Sequence, residues 1–168
     1  MPLKPLILLL LPALFVPAVS WGASADRQEP IEIQADRKTT DYRTGVGRYE
    51  GGVIITQGTL RATADVATIY VEEDRFDRAV LTGAPATFRE IDDEGREIRA
   101  SAREAVYEAA AERVTLEGDA VVERDGDRLS SARIEYDMAK QVVRAEGGDE
   151  RDRVRLILMP REQEEDQP

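Results

Sequence analysis

Three acidic clusters, Glu72-Glu73-Asp74, Asp92-Asp93-Glu94 and Asp125-Gly126-Asp127, are where this chain could hold a cation or move a proton. Closely spaced carboxylates suit calcium, and a carboxylate pair about 5 to 9 Å apart suits glycoside hydrolysis. None of the clusters follows a calcium-loop spacing, and each interrupts a run of apolar alternation, which reads as a solvated turn. The chain has no histidine and no cysteine. That removes the commonest general base, the strongest nucleophile, thiolate metal ligands and disulfides. The sequence predicts a protein that is not an enzyme and has no catalytic residue, no metal site and no cofactor.

The elements behind those turns repeat. Ala35-Asp36, Tyr42 and Gly51 recur as Ala64-Asp65, Tyr70 and Gly83, then as Ala102-Arg103, Tyr107 and Gly118, then as Ala132-Arg133, Tyr136 and Gly147. The tyrosines are 28, 37 and 29 residues apart, the range of stacked supersecondary units that cannot bury an apolar face alone. Gly51, Gly83 and Gly118 each precede an apolar alternating run and mark corners. The repeat alone fits a packed β-scaffold as well as a body with a ligand path, and a repeated tyrosine is more often a packing element than a contact.

Residues 1–25 read as a cleaved secretory leader: Lys4 supplies the positive start, Leu6 to Leu11 and Ala13 to Val16 the apolar stretch, Ala23-Ser24-Ala25 the cleavage site. Residues 26–160 are expected to form one domain, and 161–168 a disordered acidic tail. Losing Lys4 with the leader takes the net charge from −11 to −12. Such a balance argues against nucleic acid as a partner, since phosphate backbones need a basic face.

Within the domain, period-two alternation starts at Ile31, Ile33 and Ala35 and returns as Leu60, Ala62, Ala64 and Val66. Gly58, Gly95 and Gly126 hold equivalent turn positions, and Asp125-Gly126 is a strong hairpin signal. A last strand is expected over 154–159, ended by Pro160. The segment 101–113 is rich in the helix formers Ala, Glu and Arg. Its repeat residues override that propensity and predict two strands joined near Ala109 to Ala111. The total, about fifteen short antiparallel strands, indicates an all-β body of rolled or barrel-like type.

Pro30-Ile31-Glu32-Ile33-Gln34-Ala35-Asp36, the run from Tyr49 to Leu60, Gly83-Ala84-Pro85-Ala86-Thr87-Phe88, Leu116-Glu117-Gly118-Asp119-Ala120 and the run from Val154 to Pro160 together resemble a known family. It is the OstA-like LptA family of periplasmic lipopolysaccharide-transport proteins. The resemblance implies an elongated, slightly twisted open β-jellyroll whose V-shaped interior holds the acyl chains of lipid A. It further implies localisation in the periplasm and head-to-tail homo-oligomers. The N-terminal edge would meet an inner-membrane LptC-like protein and the C-terminal edge an outer-membrane LptD-like protein. By motif, Ile31, Ile33, Phe88 and Tyr107 would face the lipid. A non-catalytic repeat scaffold and a membrane-anchored LptC-like relative remain the alternatives.

Overall fold

The computed structural model describes residues 29–160 apart from 93, 139, 141 and 149–152. The leader expected over 1–25 and the tail over 161–168 lie outside the described residues. All regular elements described are strands: β1 (Glu32–Gln34), β2 (Arg37–Asp41), β3 (Val46–Gln57), β4 (Leu60–Glu72), β5 (Arg75–Ile91), β6 (Glu97–Glu108), β7 (Arg113–Arg124), β8 (Asp127–Asp137), β9 (Val142–Glu146) and β10 (Arg155–Ile157). They form one antiparallel sheet in the order β1-β3-β4-β5-β6-β7-β8-β10, with β2 also on β3 and β9 also on β8.

The central strands are long, and each pairing is interrupted near its middle, with a further shift between Tyr70 and Val71 in the β4–β5 pair. Register shifts fall between Glu50 and Val53, Thr63 and Val66, Thr82 and Ala86, Ser101 and Glu104, and Glu117 and Ala120. Unpaired residues at a bulge bend a strand and sharpen its twist. Five such breaks in line crease the sheet into two leaves, one edged by β1 and β10, the other by β2 and β9. Beside the crease lie Ala64, Ala67, Ala86, Ala102, Ala105 and Ala120, all buried. A sheet face is buried only if another layer covers it, and with no helix among the described residues each leaf covers the other. Small side chains let the leaves meet there.

Each cycle of the repeat is one hairpin across the crease. Gly51 (φ +82°) and Gly118 (φ +77°) sit on it in left-handed backbone. A Cβ added at Gly51 would lie 2.4 Å from the Asp36 carboxylate, and one at Gly118 would lie 2.7 Å from Arg103 Nε. In the first and third phrases the Asp or Arg therefore lies over the glycine, and the Asp36 N–H donates to Gly51 O at 3.0 Å.

The described strands number ten where alternation suggested about fifteen, because the corner glycines bend strands without ending them. Their backbone groups keep pairing on both sides of the crease. The segment 101–113 is strand despite its composition: β6 ends at Glu108 and β7 starts at Arg113. Cross-strand burial outweighs helix propensity when residues such as Ala102 and Ala105 are covered to 1% and 2% exposure. Asp125 and Gly126 both take positive φ and close a two-residue hairpin between Arg124 and Asp127, the backbone of a type I′ turn.

Candidate binding groove

Facing residues in register point to the same side of a sheet, so the inner walls can be followed strand by strand. On the β1–β10 leaf the inner row is Ile33, Ile55, Ala62, Phe88, Ala100, Val122, Leu129 and Leu156. On the β2–β9 leaf it is Ile69, Ala79, Tyr107, Val114, Tyr136 and Val143. Both rows are apolar from end to end. One apolar track thus crosses the whole molecule between two walls.

The track is sealed in its N-terminal half and open in its C-terminal half. Val53, Ile55, Ala62, Ala64, Ala67, Ala79, Leu81 and Ala86 form one buried cluster; Ala102, Ala105, Leu116, Ala120 and Ile134 form a second. Beyond the second cluster cover runs out. Val143 is 51% exposed, Leu156 58% and Leu158 64%, with Tyr136, Val142, Val154, Ile157 and Met159 also exposed. A pocket of about 350 Å³ opens there, lined by Val122, Leu129 and Leu156 below a rim of Arg124, Asp125 and Asp127.

Of the four residues implied by resemblance, Ile33 and Phe88 share the inner row of one leaf, and Tyr107 lies on the inner row of the other. Phe88 packs against both buried clusters, so it sits where they join. Tyr107 stacks on Phe76 with ring centroids 5.8 Å apart and planes at 21°. Ile31 is 46% exposed just before β1. The other repeated tyrosines do not share one face: Tyr70 lies beneath Arg78, 4.2 Å from ring centroid to guanidinium, and Tyr42 is 90% exposed in a loop. Leu129, Leu156, Leu158 and Val143 are not singled out by the sequence, whereas Tyr136, marked there by the repeat, joins Tyr107 on the inner row. The alternation of Val154, Leu156 and Leu158 carried the signal.

The second and third acidic clusters serve the rim of this end. Asp92 accepts hydrogen bonds from the Arg96 N–H at 2.8 Å, the Arg96 Nε at 2.9 Å and the Glu94 N–H at 3.0 Å. Arg124 Nε lies 3.4 Å from the same carboxylate, and Arg96 Nε reaches Asp125 at 3.8 Å. Two arginines therefore tie the second acidic cluster to the third. Burial pushes the Asp92 carboxyl up, but the bonds from Arg96 and Glu94 outweigh it and hold it below the ordinary value. Asp127 accepts the Met159 N–H at 2.8 Å and holds the residues that directly follow β10. Among the described residues no three acidic side chains converge as a metal site would need.

Comparisons with known proteins agree on one architecture and one family. The sequence model described as "LptA/(LptD N-terminal domain) LPS transport protein" matches residues 32–142. The lipopolysaccharide export system protein LptA of Escherichia coli K12 is 29% identical over 143 residues, covering 84% of this chain and 77% of that protein. The export protein LptH of Pseudomonas aeruginosa is 29% identical over 166 residues, covering 90% and 94%. The crystal structure of LptH, described as the LptA-homologous periplasmic component of the lipopolysaccharide transport device, superposes with a TM-score of 0.74 at 27% identity, covering 80% of this chain and 99% of that one. With its creased sheet and continuous apolar interior, this chain belongs to the LptA/LptD N-terminal domain family of lipopolysaccharide transport proteins.

Proposed function

We propose that this protein is a non-catalytic periplasmic bridge that carries lipopolysaccharide with the acyl chains of lipid A held between its two leaves. The observation that carries the reading is the apolar inner row that runs from Ile33 to Leu156 and emerges uncovered at the C-terminal end. Each buried methylene contributes about 0.8 kcal/mol, so a multi-chain lipid enclosed in a single carrier would scarcely leave it. A second groove continuous with the first makes transfer nearly isoenergetic.

Stacking edge to edge supplies that continuity. β1 and β10 are short edge strands with free pairing groups, normally an aggregation liability, and they serve here as joints by β-augmentation. Ile31 and Ile33 at one edge and Leu156 and Leu158 at the other align their apolar faces across such a joint. On this reading the N-terminal edge receives lipid from an LptC-like protein, and the C-terminal edge passes it to a further copy or to an LptD-like protein. Residues 1–25 act as the export leader.

A photo-crosslinking residue at Phe88 or Leu156 is expected to label lipopolysaccharide in growing cells. Labelling of protein alone at both positions would replace the carrier with a scaffold. Ile33→Asp, which puts a charge on the inner row, is expected to abolish lipid capture while circular dichroism keeps its β signature; unchanged capture would remove Ile33 from the lipid path.

A further inference from the structure

The outward face of the β1–β10 leaf carries a run of facing arginines that the other leaf lacks. On the β2–β9 leaf, arginines face glutamates in register: Glu108 opposite Arg113, Glu117 opposite Arg133, Glu135 opposite Arg144. Each pair is joined or closely approached by an ion contact. On the other leaf Arg61 is opposite Arg89, and Arg89 is opposite Arg99. Like charges directly opposite one another on a sheet destabilise it. In a chain of net charge −11, carboxylates were the abundant alternative.

Their neutralisation is incomplete. Arg89 and Arg99 share the one carboxylate of Glu97, at 3.3 Å from Arg89 Nε and in a close contact with Arg99. Arg61 has no carboxylate partner among the described residues. Arg128, paired with Glu123, extends the patch. These arginines surround a depression of about 440 Å³ that also contains Thr63, Thr87, Ser101 and the Glu123 carboxylate, which stands opposite Arg99 and is engaged by Arg128. Thr63 and Thr87 are hydrogen-bonded hydroxyl to hydroxyl at 2.6 Å, which uses one of their two O–H donors and leaves the other, with the Ser101 O–H, to donate to a ligand. Forked guanidinium donors over hydroxyls match the oxygens of a phosphoryl group.

We propose that this outer depression is a binding site for phosphoryl anions, with Arg61, Arg89 and Arg99 as its cationic contacts. Its arginines and hydroxyls flank the inner-row residues Ala62, Phe88 and Ala100 along β4, β5 and β6 and by alternation stand on the opposite face from the apolar groove, with Phe88 and Ala100 between them in the lining. A phosphorylated lipid headgroup and a soluble phosphate or pyrophosphate present the same chemistry to it.

The test is titration calorimetry of the purified protein with inorganic pyrophosphate at constant ionic strength, beside co-sedimentation with phosphatidylglycerol vesicles. The comparison variant is Arg61→Gln/Arg99→Gln. The wild type is expected to bind saturably, with amide shifts at Thr63, Thr87 and Ser101, and the variant at least 10-fold more weakly. Thermal unfolding without ligand should show the variant no less stable, because repulsion has been removed. Pyrophosphate binding alone assigns a soluble ligand; vesicle binding that the variant loses assigns a headgroup. Saturable binding to neither probe, or equal binding by the variant, overturns the site. Ile33→Asp should bind pyrophosphate normally, which separates this result from the fate of the lipid groove.

Discussion

The two halves of the apolar track are built from the same alternation yet end in opposite states. Ile55 in the N-terminal half is 8% exposed, whereas Leu156 at the far end of the same row is 58% exposed. Ile55 lies between Ile33 and Ala62, beneath a covering leaf, whereas Leu156 has a neighbour on one side alone. Apolar character decides which face turns inward. Whether it is sealed depends on how far the opposite wall extends.

The first way to sharpen that contrast is to truncate one residue from each half and compare urea midpoints. Ile134, 1% exposed in the second cluster, should lose about 2–5 kcal/mol on Ile134→Ala. Leu156→Ala should shift monomer stability by less than about 0.5 kcal/mol while weakening lipid capture or self-association. Similar losses at the two sites would mean that the C-terminal track is covered in solution.

The crease can be tested next. Gly51→Ala imposes a side chain on a backbone at φ +82° and is expected to cost about 1–3 kcal/mol, with the leaves splayed and lipid capture reduced together. A stability loss with unaltered capture would separate the crease from the groove.

The smallest effect concerns pH. The Lys140 ammonium, 2.7 Å from Asp137, and the Lys140 N–H, 2.9 Å away, hold that carboxyl below its ordinary value. Because the folded value lies below the unfolded one, the contribution is full at neutral pH and is lost as pH falls below about 4. Asp92 behaves in the same direction. Asp137→Asn should flatten the acid limb of a stability–pH curve and leave it unchanged near pH 7 relative to the variant's own baseline. An unchanged acid limb would show that this turn adds nothing to acid sensitivity.

Much of the fold was legible because its signals are local. Asp125-Gly126 specifies a tight turn through backbone conformations that few residue pairs adopt, and alternation around Ala62 and Ala64 names a buried face. The repeat also overruled helix propensity at 101–113, because equivalent positions must pair in equivalent ways. Continuity was harder to see. A glycine that ends a strand and one that bends it look alike in sequence, and they differ in whether pairing resumes beyond the bend.

By itself, then, the sequence determined the strand faces, the hairpin turns, the absence of histidine and cysteine chemistry, and the residues that carry the family likeness. Tertiary structure alone decided that five bulges fall in one line, that Phe88 joins two clusters, that three arginines meet across strands, and that Leu156 and Val143 are left uncovered. Those outcomes depend on register between segments tens of residues apart. Register follows from the pairing of all the strands at once, and no single stretch of chain contains it.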